Sequence, residues 1–146
     1  MEQMDQQSEA LMAPLEISYD AVLSLLNELD GNKSCGPDNM HPFALKSCAS
    51  ALALPLKIIF ERSLRTSDLP LVWKHALVSA LFKQGSRLQP LQYRPVSITS
   101  VCCKVMDRAI YSHSVEYLES NHLLSQFQYG FRAGRSTEDQ LLFFLR

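Results

Sequence analysis

The sequence predicts an α+β fold in which helices dominate and a short antiparallel hairpin lies between them. Three stretches repeat apolar residues at the spacing of an amphipathic helix. Two shorter apolar runs between residues 76 and 99 have the length of strands and are separated by a polar loop. The apolar fraction of 47% and the charged fraction of 20% are ordinary for a folded protein. We therefore expect one domain, or part of one, after a flexible leader at residues 1–16.

The first half of the chain is predicted to be helical. Ser18 is a suitable N-cap for a helix over residues 17–31, because apolar residues follow it at i, i+3, i+4 and i+7. Gly31 stands where a left-handed residue commonly ends a helix. Residues 43–66 are also helical by pattern, and Pro55 is expected in the first turn of a new helix, where its missing N–H removes no hydrogen bond.

Two strand candidates follow, and each carries a cation at one end. The segment WKHALVSALFK ends in Lys83, and the segment YRPVSIT begins just before Arg94. A hairpin between them would bring the two cations to the same end. A guanidinium fork and a mobile ammonium suit a polyphosphate, because Arg binds bidentately and Lys acts as a point charge. The alternative, that both are ordinary solvated surface cations, stays open on spacing alone.

The C-terminal part is predicted to hold two further helices. The first runs from about Ser100 to Leu118 by its apolar pattern, and a glycine-marked irregular stretch follows it. Ser136 or Thr137 is expected to cap a last helix, EDQLLFFLR, and Ser136 with Asp139 fits a capping box. This strongly apolar segment needs a surface to pack against.

The turn before this last helix is basic and aromatic. Arg132 and Arg135 lie beside glycines that permit close backbone approach. They directly precede a helix N-terminus, where free N–H groups and the helix dipole favour anions. Phe127, Tyr129 and Phe131 either stack on bases or anchor the loop into a core, and the pattern favours anchoring.

The charge distribution directs any polyanionic partner to the C-terminal half. Residues 1–79 carry six basic and ten acidic side chains, whereas residues 80–146 carry eight basic and five acidic ones. No apolar run approaches the roughly 20 residues that span a bilayer, and the acidic N-terminus is unlike a targeting leader. The four cysteines are expected to be reduced. These features predict an intracellular protein of the cytoplasm or nucleus that is not secreted and has no membrane partner.

The residue pattern predicts no catalytic and no metal-binding residue. The cysteines and histidines lack the spacing of a zinc site, and the common hydrolase and phosphate-loop motifs are absent. Nucleotidyl transfer by two metal ions needs carboxylates that converge on ions about 4 Å apart. The acids after Lys83 all fall on predicted helices: Asp107, Glu116, Glu119, Glu138 and Asp139. Spacing alone therefore predicts a phosphate-binding end without catalytic carboxylates.

Four consecutive segments resemble the reverse transcriptases of non-LTR (LINE-like) retrotransposons. They are KSCGPDNMHPFALK, LVWKHALVSALFKQGS, LQYRPVSITSVCCKVMDRAI and YLESNHLLSQFQYGFRAGRSTEDQLL. Each alone is a weak match, whereas the four in order and at the expected intervals are specific. The resemblance runs from about Ile17 to the end. It implies a partial reverse transcriptase domain over residues 17–146, with the helix-rich fingers subdomain of a right-hand polymerase and the start of a truncated palm.

The resemblance also implies roles for individual residues. Lys83 and Arg94 match the cations that approach the triphosphate of the incoming nucleotide. The motif Q-x-G-F-R-x-G-R-S-T, which lies along the template, maps onto Gln128, Gly130, Phe131, Arg132, Gly134, Arg135, Ser136 and Thr137. The loop at Gly36, Pro37 and Asp38 matches a family marker to which no role is assigned.

Two places depart from the family pattern. Where the family often has F-K-K-G-D, this chain has Gln84 and Ser86, which removes one cation and one acid. Where the family has N-Y-R-P, this chain has Gln92. Lys83 and Arg94 are retained.

The resemblance finally implies parts that lie outside this sequence. The family's metal-binding aspartates follow the G-F-R segment at positions beyond Arg146, so no cofactor is expected here and Mg²⁺ only in the full-length polymerase. The implied partners are an RNA template, a deoxynucleoside triphosphate and the missing palm and thumb. The expected function is that of an RNA-directed DNA polymerase fragment, inactive alone. The alternatives are a non-catalytic nucleic-acid-binding module and an untranslated or unstable retroelement relic.

Overall fold

The computed structural model describes residues 12–145 as helices with one two-stranded antiparallel sheet. The helices are α1 (Tyr19–Asn27), α2 (Pro42–Ser47), α3 (Ala49–Thr66), α4 (Val101–Ser120) and α5 (Thr137–Phe144), and the strands are β1 (Leu77–Phe82) and β2 (Tyr93–Ile98). Short 3₁₀ turns cover Leu71–Lys74 and Pro90–Gln92. This mixture agrees with the predicted α+β class. Most of the predicted leader lies outside the described residues.

The described part of the chain divides into two compact units. Leu15–Tyr111 form the first unit, which contains α1, α2, α3 and the hairpin. Residues 112–145, together with residues 12–14, form the second. The cations at the hairpin belong to the first unit, and the basic turn before α5 belongs to the second.

Helix α1 begins where the sequence predicts but ends earlier. The Ser18 hydroxyl accepts a hydrogen bond from the Ala21 N–H at 3.1 Å, and Val22 and Leu26 are fully buried. The prediction that Gly31 ends the helix in a left-handed conformation is wrong. The helix stops at Asn27, and the right-handed Glu28 caps it by donating its N–H to the Ser24 carbonyl. Because this residue closes the last turn, no left-handed glycine is needed.

The helical region after His41 is broken at Cys48 rather than at Pro55. Helix α2 starts at Pro42, and the Nδ1 atom of His41 accepts the Phe43 N–H there. The prediction that Pro55 opens a new helix is wrong, because this proline lies inside α3. Pro55 offers no N–H to the carbonyl of Ala51, one turn earlier. Both residues are on the exposed side of the helix, where water can bind that carbonyl.

The core of the first unit is formed by α1, α2, α3 and the first turns of α4. Its most buried large side chains are Phe60, Leu26, Leu45 and Val22. Trp73 packs its ring on Phe60 with centroids 5.8 Å apart, which attaches the chain before β1 to this core. Each such side chain stabilises the fold by roughly 1.5–3 kcal/mol when it leaves water.

The hairpin pairs β1 with β2 over their full length. The register runs from Leu77 opposite Ile98 to Phe82 opposite Tyr93. All of β1 is exposed, and β2 is exposed between its two ends. A two-stranded sheet is at best marginally stable alone. The hairpin is therefore held mainly by its own ladder and by the segments that join it to the helices.

The second unit ends in the capped helix that the sequence predicts. The Ser136 hydroxyl accepts the Asp139 N–H at 3.1 Å, and the Asp139 carboxylate accepts the Ser136 N–H at 3.1 Å. This reciprocal pair confirms the predicted capping box. The apolar residues at 141–145 are all exposed. Among residues 12–145, none of the helices combines the length and apolar character that crossing a bilayer requires.

Candidate nucleic-acid interface

The hairpin brings Lys83 and Arg94 to the same end. Arg94 lies directly opposite Leu81, and the Lys83 N–H donates to the Gln92 carbonyl at 2.7 Å, one step beyond the last strand pair. Because side chains alternate along a strand, Leu81, Lys83 and Arg94 share one face. Lys83 is thus a diagonal neighbour of Arg94, a relation that typically separates backbones by about 7–8 Å. Both cations are exposed.

The opposite face of the hairpin holds the loop in a defined shape. Phe82 and Tyr93 meet edge to face with centroids 5.5 Å apart, and the Arg87 guanidinium lies 5.1 Å from the centre of the Phe82 ring. The Tyr93 hydroxyl donates to the Arg87 carbonyl at 3.0 Å. Arg87 is therefore used to fold the loop, whereas Lys83 and Arg94 lie on the other side.

Arg132, predicted to contact a template, is bound inside the second unit. Its Nε and Nη2 atoms donate to the two carboxylate oxygens of Glu119 at 2.9 and 2.6 Å, and Nη1 donates to the Ser125 carbonyl at 3.0 Å. Only 13% of its side chain is exposed. The hydrogen bond from Arg132 holds the pKa of Glu119 below its usual value. This bidentate pair fixes the turn against the C-terminal end of α4.

Arg135 is placed quite differently on the same turn. It is exposed, and its guanidinium lies 5.2 Å from the centre of the Tyr129 ring. This stacking is a cation–π contact, which leaves the guanidinium edges available for hydrogen bonds. Gly134 next to it adopts a left-handed φ of 72° with open space around its α-carbon, so a ligand can approach the backbone here.

The aromatic residues of the turn divide between packing and exposure. Phe127 packs on Phe143 with ring centroids 5.5 Å apart. Phe131 is 96% exposed and has a left-handed φ of 61°. Anchoring, which the sequence pattern favours over stacking, therefore does not hold for Phe131, because this side chain is not buried in a core. A bulky residue at positive φ is a strained arrangement.

The remaining predicted template residues lie along the same turn. Gln128 is exposed and donates its N–H to the Ser125 carbonyl at 3.0 Å, and Gly130 has open space around its α-carbon. The Ser136 hydroxyl is used in the cap of α5, and the exposed Thr137 is the first residue of that helix. All eight predicted template positions thus lie within residues 128–137, but Arg132 and Ser136 already have structural hydrogen-bond partners.

Two acids of the second unit have structural roles, and one thiol of the first unit is buried. Glu119 is paired with Arg132, and Asp139 belongs to the capping box. Burial raises the pKa of the Cys102 thiol to about 11, so this free cysteine is not a ready nucleophile or ligand. Within residues 12–145, no group of three or more His, Cys, Asp or Glu side chains is arranged to hold a metal ion.

Sequence reasoning missed Glu119 as the partner of Arg132. The two residues are 13 positions apart, across an irregular stretch whose path local patterns do not define. An acid in the last turn of a predicted helix is usually a solvated side chain, so it gave no sign of this contact.

Comparison with known proteins identifies relatives over most of the chain. The chain is 29% identical over 148 residues to the probable RNA-directed DNA polymerase from transposon BS of Drosophila melanogaster, which covers 96% of this chain and 16% of that relative. It is 29% identical over 144 residues to the corresponding protein of the transposon X-element, with the same coverage. The polymerase from mobile element jockey of Drosophila funebris is 27% identical over 92% of this chain. No family model matches the sequence.

These relatives confirm the resemblance to non-LTR retrotransposon reverse transcriptases. Their identity to this chain is 26–29%, and it extends over most of the 146 residues. The chain spans about one sixth of the length of the first relatives named here. The similarity therefore concerns a segment of such polymerases.

We expect the Glu119–Arg132 pair to make stability depend on acid pH. The pKa of Glu119 in the folded protein is lowered from 4.5. The contribution of its ionised carboxylate to the free energy of unfolding is therefore fully present above pH 4.5 and is lost as the pH falls through the pKa of the folded protein. Glu119→Gln cannot titrate and should lack this component. Thermal unfolding midpoints measured in steps from about pH 7 to about pH 3 test this. Glu116→Gln, at an exposed position of the same helix, is the matched control, and identical pH curves for Glu119→Gln and wild type would contradict it.

Proposed function

We propose that this chain is the nucleotide- and template-contacting segment of a retrotransposon RNA-directed DNA polymerase, made of part of the fingers subdomain and the start of the palm. The single observation that carries the proposal is the placement of Lys83 and Arg94 on one exposed face at the end of the hairpin. The relatives that align with 96% of this chain support the proposal, because they are named as probable RNA-directed DNA polymerases.

The hairpin cations are suited to the triphosphate of an incoming nucleotide. Within residues 12–145, neither Lys83 nor Arg94 makes an ion pair or a side-chain hydrogen bond, so both are available to a ligand. A triphosphate carries several negative charges on neighbouring groups. A guanidinium binds one phosphate bidentately while an ammonium neutralises the next. Because the aromatic contacts on the opposite face shape the loop, the backbone that carries the two cations needs little further ordering on binding.

The basic turn of the second unit is suited to single-stranded nucleic acid. Phe131 presents its ring to solvent, and Arg135 lies four residues further along the same turn. Bases stack on exposed aromatic rings, and a guanidinium pairs with the adjacent phosphate. In this proposal Arg132 does not touch the template; it holds the turn through Glu119 so that Phe131 and Arg135 face outward.

The carboxylates that hold catalytic Mg²⁺ are proposed to lie outside these 146 residues. Of the acids that follow Lys83, Glu119 and Asp139 are engaged by Arg132 and by the capping box. The rest are spread along helices, which does not suit two ions about 4 Å apart. The segment then needs the remaining palm and the thumb of a polymerase for nucleotidyl transfer.

A non-catalytic nucleic-acid-binding module is the second candidate. The exposure of Phe131 and Arg135 favours it, because stacking and phosphate pairing require no metal and no nucleotide. The two candidates differ at the hairpin. A binding module has no need of a triphosphate site at Lys83 and Arg94, whereas a polymerase segment does.

We expect Lys83→Ala and Arg94→Ala each to weaken binding of a deoxynucleoside triphosphate by about tenfold or more, the loss typical of one charge-assisted hydrogen bond. Titration calorimetry with dATP and the full chain measures this. Lys104→Ala, at an exposed position of α4, removes the same charge elsewhere and should bind like wild type. The affinity of Arg94→Lys for dATP should lie between those of wild type and Arg94→Ala, because lysine keeps the charge but cannot bind a phosphate bidentately. Wild-type affinity in the double variant Lys83→Ala/Arg94→Ala would refute the triphosphate site.

We expect RNA binding to depend on salt through Arg135. Removing one phosphate contact should reduce the slope of log affinity against log salt by about one for Arg135→Ala. Phe131→Ala should weaken binding at every salt concentration without changing the slope, because stacking releases no counterions. Fluorescence anisotropy with a labelled single-stranded RNA measures both. Arg65→Ala, exposed in the first unit, is the charge-matched control, and a slope for Arg135→Ala equal to wild type would count against the template surface.

The purified 146-residue chain should show no primer extension with Mg²⁺ or Mn²⁺, because no group of three or more His, Cys, Asp or Glu side chains in residues 12–145 is arranged to hold the ions. The assay follows nucleotide addition to a labelled primer on an RNA template. A heat-inactivated sample provides the background. Steady incorporation above that background would show that this segment carries its own catalytic site.

A further inference from the structure

The loop of Gly36, Pro37 and Asp38, named here the 36–38 loop, contacts the junction between β2 and α4. The Ser100 hydroxyl donates to the Oδ2 atom of Asp38 at 2.5 Å, and Asp38 Oδ1 accepts the Met40 N–H at 3.3 Å. Ser100 is fully buried and precedes the first residue of α4. This contact joins two parts of the chain that are 62 residues apart.

Gly36 allows the loop to approach this junction closely. A β-carbon at this position would lie 2.6 Å from the Thr99 carbonyl oxygen and 2.9 Å from the Ser100 α-carbon. Both are backbone atoms, which a side-chain rotation cannot move away. Within the loop, the Asn39 N–H donates to the Gly36 carbonyl at 3.1 Å and closes the turn. The 36–38 loop therefore presses backbone against backbone at Thr99 and binds the Ser100 hydroxyl beside it.

The junction is also one of the places where the chain of the hairpin joins the first unit. Because the strand faces are exposed, packing of the sheet on the helices contributes little to its orientation. Contacts with the first unit hold the chain on both sides of the hairpin. The chain before β1 is attached through Trp73 on Phe60, and the chain after β2 is attached through Ser100. Arg94 lies only six residues before Ser100.

We propose that Gly36 and Asp38 are positioning residues for the triphosphate-binding cations Lys83 and Arg94. They act through Thr99 and Ser100 and do not touch the nucleotide. This inference rests on the proposed nucleotide binding at the hairpin. A loop that only connects two helices would need neither the buried contact of Gly36 nor the hydrogen bond between the Asp38 carboxylate and the buried Ser100 hydroxyl. The positioning role accounts for both.

The test compares Asp38→Ala, Ser100→Ala and their double variant in the full chain. Each single variant should weaken dATP binding by about tenfold, because one charge-assisted hydrogen bond to phosphate becomes misaligned. The double variant should bind dATP no more weakly than whichever single variant has the lower affinity, because the two substitutions remove the same contact. Asp38→Asn keeps an oxygen acceptor for Ser100 and should retain most of the affinity. Asp107→Ala, exposed on α4, is the matched control.

Hydrogen exchange of backbone amides, measured without nucleotide, separates positioning from general stability. Amides of β1 and β2 should exchange faster in Asp38→Ala and Ser100→Ala, while amides of α1 and α3 keep their protection. Loss of protection in α1 and α3 together with the hairpin would overturn the proposal, since the contact would then serve the whole fold. Unchanged hairpin exchange, or wild-type dATP affinity in both single variants, would overturn it as well.

The two proposals fail in different ways. If Lys83→Ala/Arg94→Ala binds dATP like wild type, the triphosphate site is refuted and, with it, the positioning role. If that double variant loses affinity while Asp38→Ala and Ser100→Ala do not, the site stands and only the positioning role is refuted. Ser100→Ala is the milder change, since it removes one hydroxyl, and it decides the outcome if Asp38→Ala does not fold.

Discussion

The pairing of β1 with β2 is the constraint on which the proposed nucleotide site depends. Its register places Arg94 opposite Leu81 and extends by one bond to Lys83. A slip of one residue would move a strand's side chains to the other face and would separate the two cations. The aromatic contacts between Phe82 and Tyr93 oppose such a slip from one face. The 36–38 loop acts at the base of the same strand pair, so local pairing and a distant contact cooperate.

The two arginines of the basic turn show how neighbours of the same type take different roles. Arg132 is held by both oxygens of Glu119 and by a carbonyl, whereas Arg135 stacks on one ring and stays exposed. Three fixed hydrogen bonds make the first a structural residue. A stacked guanidinium with its edges in solvent is ready for an anion. Burial and partners, rather than the position in a motif, therefore distinguish a residue that builds a surface from one that uses it.

Local sequence patterns predicted the helices and strands of this fold, but they could not predict contacts between residues that are far apart in the sequence. The Ser18 cap, the two strands and the Ser136 box follow from neighbours within a few residues, and they were predicted. The predictions for the end of α1 and for Pro55 were wrong, because the right-handed Glu28 closes the last turn of α1 and Pro55 lies on an exposed face inside α3. The contacts of Glu119 and Asp38 connect residues 13 and 62 positions apart, which no periodicity encodes. The predicted roles of the site residues remain predictions.

The two-stranded sheet has a consequence for work with the isolated segment. With only two strands, each has one outer edge, and those edges carry C=O groups and, except at Pro95, N–H groups that no third strand in residues 12–145 occupies. Such edges are templates for strand addition between molecules, and the apolar faces of this hairpin favour it. Self-association should therefore set the concentration at which the segment can be handled, and a lysine at an outer edge position is the remedy that natural sheets use.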